Sequence, residues 1–142
     1  IIEEALEKLT WSLTQESKVI GGNHCIKALT RFRGRDYIAW FAPSIASNTG
    51  PWKFHGLPGM ILDVREANNH CRMQCISYQW ISGPIHIQRP DHGTKISMPE
   101  YIAMRDKSAE AFILSILSKM PEGAQISNKS IQNNNLEIEF NY

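Results

Sequence analysis

Two dipeptides, His24-Cys25 and His70-Cys71, and a third thiol at Cys75 are the side chains here best suited to hold a soft metal ion or form a disulfide. Zinc takes imidazole nitrogens and thiolate sulfurs in a tetrahedral set, and its sites use spacings such as C-x-x-C. Neither that spacing nor H-x-x-x-H occurs. Adjacent residues of a strand point to opposite faces, so neither dipeptide chelates through both side chains. No metal site is expected. His86 and His92 lie near Asp91, but such pairs arise by chance. No G-x-S-x-G elbow, P-loop or dinucleotide fingerprint is present. No catalytic residue and no cofactor are therefore assigned, and the residues themselves disclose no reaction.

The other chemistry on offer is cationic. Lys27, Arg31 and Arg33 fall at odd positions of one segment, and Lys53 could lie nearby. Such a run reads as a solvated face or as a surface for an anionic lipid, a phosphate or an acidic partner segment. The whole chain carries a net charge of only +1, so no global field recruits nucleic acid or membrane. No apolar run approaches the roughly 18 residues of a membrane-spanning helix.

The 142 residues, with 42% hydrophobic and 20% charged, suit a single globular domain spanning 1–142. The opening IIEEALEKLT has no Met, no basic n-region and no signal-like apolar region, the start expected of a mature, trimmed or incompletely represented chain. Residues 1–9 read as a short helix or an extended lead-in. Strands are expected at 11–20, 24–33, 37–42, 60–64, 72–80 and 85–89, separated by turn residues such as Gly34, the Glu66–Asn69 stretch and Ser82-Gly83-Pro84. In the second, Ile26, Ala28 and Phe32 alternate with the cations, the mark of a half-buried strand. Residues 37–42 are apolar on both faces, as in a central strand. The period then changes: Ser97 and Glu100 form a capping box around Pro99, and apolar residues recur at helical spacing to Met120. Leu136–Phe140 alternates again and reads as a closing edge strand. These elements predict an α+β fold, a curved antiparallel sheet or half-open barrel covered by one long amphipathic helix near 98–120.

Residues 50–60, GPWKFHGLPGM, restrict the backbone just where large apolar side chains occur. Gly50, Pro51, Gly56, Pro58 and Gly59 are the structural turn residues. Leu57-Pro58-Gly59-Met60 has the composition of a type II turn, with glycine at the positive-φ position. Trp52 and Phe54 share a face if the segment is extended, with Lys53 and His55 on the other. The loop either plugs one end of the sheet or presents a preorganised surface in which Trp52, Phe54, Leu57 and Lys53, with Lys27, Arg31 and Arg33, meet a partner or ligand.

The ordered stretches GGNHCIKA, FRGRDYIAWFAPSI, GPWKF and GLPGMILDV resemble the GLPGLI family of exported bacterial proteins across roughly Trp11 to Val64. Met60 stands where the family motif has Leu, and Asn23 where an aromatic is usual. The resemblance implies a precursor with a signal peptide, further N-terminal strands before this region, and residence in the periplasm or at the outer membrane. It implies an accessory role, binding an outer-membrane protein such as a transporter or barrel, and supplies no reaction. A binder or carrier of a lipid or other apolar ligand within the curved sheet is the alternative, with an unrecognised hydrolase behind both. In an exported protein a disulfide is reasonable. Cys71 and Cys75 are ~13 Å apart on one strand, too far to bridge. A bond would join Cys25 to one of them, with Cys75 the choice, unless all three pack as free thiols.

Overall fold

A computed structural model describes residues 1–120; the strand expected at Leu136–Phe140 lies outside the described residues. Strands β1 (Ser12–Ile20), β2 (Asn23–Phe32), β3 (Arg35–Ala42), β4 (Met60–Glu66) and β5 (Arg72–Gln74) form one antiparallel sheet in the order β1-β2-β3-β4-β5. With the helix α1 (Met98–Leu117) the fold is α+β, and the sheet is curved but does not close into a barrel.

The first two hairpins are as tight as hairpins become. Ile20 pairs with Asn23 around Gly21 (φ +53°) and Gly22 (φ +79°), and Phe32 pairs with Arg35 around Arg33 (φ +45°) and Gly34 (φ +79°). Two positive φ angles in a row are the type I′ signature, whose twist matches that of the flanking strands. Alternation then decides the faces. Ala28, Thr30 and Phe32 of β2, Tyr37, Ala39 and Phe41 of β3, and Val64 of β4 are buried. They line an apolar face that packs with Phe54, Leu57 and Ile61 into the main core. Lys27 and Arg31 project from the other, charged face. A smaller cluster of Cys25, Ala42, Ile45 and Leu62 lies beside the irregularity in the β3–β4 register.

Two expectations need correction. The strand expected at 72–80 stops at Gln74, and the one at 85–89 does not form. The cause is competition for β4. Met60 N–H donates to Ile45 O (3.3 Å) and Ile61 N–H to Thr49 O (3.0 Å), so the preceding loop has already taken the start of β4. Cys75 N–H reaches Leu62 O (2.8 Å), and beyond it Ile76, Tyr78 and Trp80 have no ladder to join; Ile76 is 99% exposed. The described backbone divides into two compact units, Leu6–Ile81 and Ile1–Ala5 with residues 82–120.

In the second unit, residues 1–5 form neither helix nor strand, though Ile2 makes an isolated parallel bridge to Ile96. The capping box at the start of α1 forms as predicted: Glu100 N–H donates to Ser97 Oγ (3.4 Å) and Ser97 N–H to Glu100 Oε2 (2.7 Å). The helix ends at Leu117, three residues before the expected end, with Ser118 as its cap. Its apolar residues spread around the axis instead of forming one stripe, and none of its residues is buried.

Candidate functional site

The 43–59 loop is fastened along its length. Thr49 and His55 pair in an antiparallel bridge, and Gly56 N–H donates to Asn48 O (2.8 Å). Trp11 Nε1–H donates to His55 O (2.9 Å), tying the loop to the lead-in of β1. Two glycines are required by close approach. A Cβ on Gly50 would stand 2.8 Å from Ile61 Cβ, and one on Gly59 2.3 Å from Ala42 O. The expected type II turn over Leu57–Met60 is not what forms. Gly59 N–H donates to Leu57 O (2.9 Å) while Met60 N–H goes to Ile45, and Gly59 has φ +155°. A type II turn wants a Met60-to-Leu57 bond and a φ near +80°. A tighter three-residue turn centred on Pro58 takes its place.

At the tip, Phe54 N–H donates to Pro51 O (3.1 Å), closing a turn with Trp52 and Lys53 at its central positions. Trp52 has φ +54°, at a position where glycine is preferred. The segment is thus bent, not extended, and its two aromatics divide the work. Phe54 is 1% exposed; its ring lies 4.7 Å from Tyr37, 5.6 Å from Trp52, 6.1 Å from Phe32 and 6.2 Å from Trp11, centroid to centroid. Leu57 is 2% exposed. Both belong to the core, which corrects their place among the surface-binding candidates. Trp52 is 40% exposed and rests edge-on against Phe32 at 5.7 Å, and Lys53 Nζ lies 5.4 Å from its ring centroid. Of the expected aromatic surface, Trp52 and Lys53 remain.

The structure does not gather the cations around them. Lys27 and Arg31 lie on the charged face, the far side of the sheet from the Phe32 ring that supports Trp52. Lys27 Nζ bonds Glu16 Oε1 (2.6 Å), and Arg31 Nη1 lies 3.4 Å from Asp36 Oδ1. Arg33 sits with its guanidinium 5.1 Å from the Phe32 ring centroid and bonds Glu7 (2.5 Å). Each is matched by an acid, so the strand is an ion-paired surface.

Two acidic clusters escaped the sequence reading. Asp63 on β4 is 1% exposed and accepts from Lys18 Nζ (2.8 Å) and from Arg72 Nε and Nη2 (both 2.9 Å). Lys18 Nζ also lies 4.3 Å from the Trp40 ring centroid. Burial pushes the Asp63 carboxyl up, but the Arg72 fork and the Lys18 ammonium outweigh it and hold the group below its ordinary range. Buried Glu66 organises the β4–β5 turn: Oε2 accepts from Asn68 N–H (2.8 Å) and His70 N–H (3.2 Å), and Oε1 from Asn68 Nδ2 (3.1 Å). Here too burial pushes the carboxyl up, and the two amides, helped by His70, bring it below its usual value. An acid inside an apolar run, as in ILDVRE, was the available signal, since a buried charge must be paired.

All three cysteines are free thiols. The expected Cys25–Cys75 bridge is absent: the Cys25 Sγ donates to Asn23 O (3.4 Å) and the Cys75 Sγ to Ser77 O (3.4 Å), although Cys75 packs against the small cluster that holds Cys25. Burial pushes the Cys25 thiol up. Cys75 borders two clefts, one of about 500 Å³ lined by Pro51, Met60, Ile61 and Met73, the other of about 240 Å³ lined by Ile20, Leu62 and Tyr78. Among the described residues no cluster of His, Cys, Asp and Glu could hold a metal ion, and no helix is long and apolar enough to cross a membrane.

Residues 33–63, which run from the β2–β3 turn through the loop into β4, match a family described as a protein of unknown function (Porph_ging). No curated protein and no solved structure matches the chain.

Proposed function

We propose that this chain is a non-enzymatic binding module of the cell envelope that docks on an outer-membrane protein, such as a transporter or barrel, through Trp52 and Lys53. The observation that carries this reading is the Trp52 ring, held partly exposed on a left-handed backbone by a loop fastened at both ends. Strained, overdetermined residues concentrate where a protein meets something else. A braced aromatic also gives up little entropy on binding, which is why such residues anchor interfaces. The compartment rests on the resemblance to the GLPGLI family. A second reading, an apolar ligand or lipid, draws on the cleft of about 500 Å³ beside Met60, Ile61 and Met73. That ligand would sit at the sheet margin, because Phe54 and Leu57 already fill the apolar face.

Affinity capture of the full-length protein from gently solubilised native envelope, followed by mass spectrometry of proteins and lipids, tests both. A stoichiometric outer-membrane protein kept by the wild type and lost with Trp52→Gly is the expected result. A defined lipid without a protein selects the second reading, and recovery of neither overturns both.

A further inference from the structure

We infer that the charged face of the sheet binds a phosphorylated amphiphile, its phosphate between Arg65 and Arg72 and its apolar body over Ile38 and Leu29. The inference is independent of the proposed function, and it involves none of the residues that line the cleft of about 500 Å³. Strand register supplies the first observation. Leu29 of β2 pairs with Ile38 of β3, Ile38 with Arg65 of β4, and Arg65 with Arg72 of β5. Directly opposed residues of paired strands share a face, so these four side chains form one row across the sheet. With strands about 4.8 Å apart the row is about 14 Å long. Two apolar side chains are followed by two arginines. Leu29 is 38% exposed, Ile38 and Arg65 are half-buried, and Arg72 is exposed.

Charge supplies the second observation. Like charges directly opposite each other repel, and the chain does not neutralise this pair. Asp63 answers both Arg72 (2.9 Å) and Lys18 (2.8 Å), while Arg65 Nη1 donates to the neutral Asn69 Oδ1 (3.3 Å). The neighbouring ion pairs, Lys27 with Glu16 and Arg31 with Asp36, cancel. Lys18, Arg65 and Arg72 thus share one acid, itself only 1% exposed. Arg72 spends Nε and Nη2 on Asp63, which leaves its Nη1 hydrogens, and Arg65 keeps those of Nε and Nη2. Guanidinium forks whose Cβ atoms stand about 4.5–5.5 Å apart can grip one tetrahedral anion between them and relieve their own repulsion. A phosphate monoester brings three acceptor oxygens and nearly two charges, a better match to the surplus than a single carboxylate. An inorganic ion would leave Ile38 and Leu29 uncovered, so the row selects a phosphate attached to an apolar body.

Isothermal titration calorimetry on the full chain tests this with three probes: dihexanoyl phosphatidic acid below its micelle-forming concentration, inorganic phosphate, and uncharged dihexanoylglycerol. The phosphatidic acid binds on the order of tenfold more tightly than inorganic phosphate, and the glyceride gives no binding. Arg65→Gln removes a repulsion, so its melting temperature does not fall, yet it weakens phosphatidic acid binding by on the order of tenfold or more. Leu29→Ser brings the phosphatidic acid toward the affinity of inorganic phosphate and leaves the latter unchanged. The inference is overturned by glyceride binding equal to that of the phosphatidic acid, by inorganic phosphate binding just as tightly, by affinity that survives Arg65→Gln, or by binding of none of the three.

Discussion

Trp52→Gly and Trp52→Ala delete the same indole but leave different backbones, so comparing them isolates the conformational cost of the loop tip. At φ +54° a residue with a Cβ is strained by about 1–2 kcal/mol, a cost that glycine does not carry. Glycine loses more freedom on folding, which offsets about 0.4–1 kcal/mol of that advantage. The balance favours Trp52→Gly over Trp52→Ala by roughly 0.5–1 kcal/mol, the reverse of the ordinary ranking. Both fall below the wild type, because the ring's edge contacts with Phe32 at 5.7 Å and Phe54 at 5.6 Å go in either case. With the ring 40% exposed, that loss is about 2 kcal/mol. Urea unfolding followed by far-ultraviolet circular dichroism, with a shared slope, resolves the difference. If the alanine variant is the more stable, the tip is relaxed and the strain that singles out Trp52 does not exist.

Other outcomes follow from the same geometry. Gly59→Ala, whose Cβ would stand 2.3 Å from a backbone oxygen, lowers stability by about 3 kcal/mol or more. Gly21→Ala meets nothing within 4 Å and loses only the roughly 1 kcal/mol of its positive φ, so melting curves should separate the two widely. Glu66 has a folded pKa below its unfolded value, so its contribution is present above the ordinary carboxylate range, near 4.3, and disappears as pH falls through the lowered folded value. Glu66→Gln flattens the acid limb of a stability–pH curve below about pH 5, the remaining slope belonging largely to Asp63; an unchanged limb refutes this. A thiol reagent should label Cys71 and Cys75 in the native protein and Cys25 only after denaturant, because Cys25 is 0% exposed with its thiol pushed up. Prompt native labelling of Cys25 contradicts its burial.

What the sequence made legible was local. Period-2 alternation located β2 and its buried face, Gly34 located the hairpin of β2 and β3, and the Ser97–Glu100 box located the start of α1. What it hid was competition between segments. Ile76, Tyr78 and Trp80 have sound strand alternation, yet the backbone they would pair with is taken by Ile45 and Thr49, which no periodicity announces. Phe54 and Trp52, two residues apart, read as equivalent, and one bent turn sends the first into the core and leaves the second at the surface. The cysteine pairing failed likewise, because each thiol turns to a backbone carbonyl near it in the chain, which cysteine spacing does not announce. The buried acids were visible as residues, but their partners Lys18 and Arg72 come from different strands.

The Lys18–Asp63 contact fastens the outermost strand to the fourth, reaching past the two between them. β1 is therefore latched from across the sheet as well as zipped along its side, and the latch opens when Asp63 takes up a proton. Acid thus weakens one of the two holds on the rim of the sheet. A loosened rim is an unpaired template of nine residues, the kind of surface on which chains add to one another. Asp63 is in this sense a guard on colloidal behaviour: losing it exposes the chain to self-association before the core gives way.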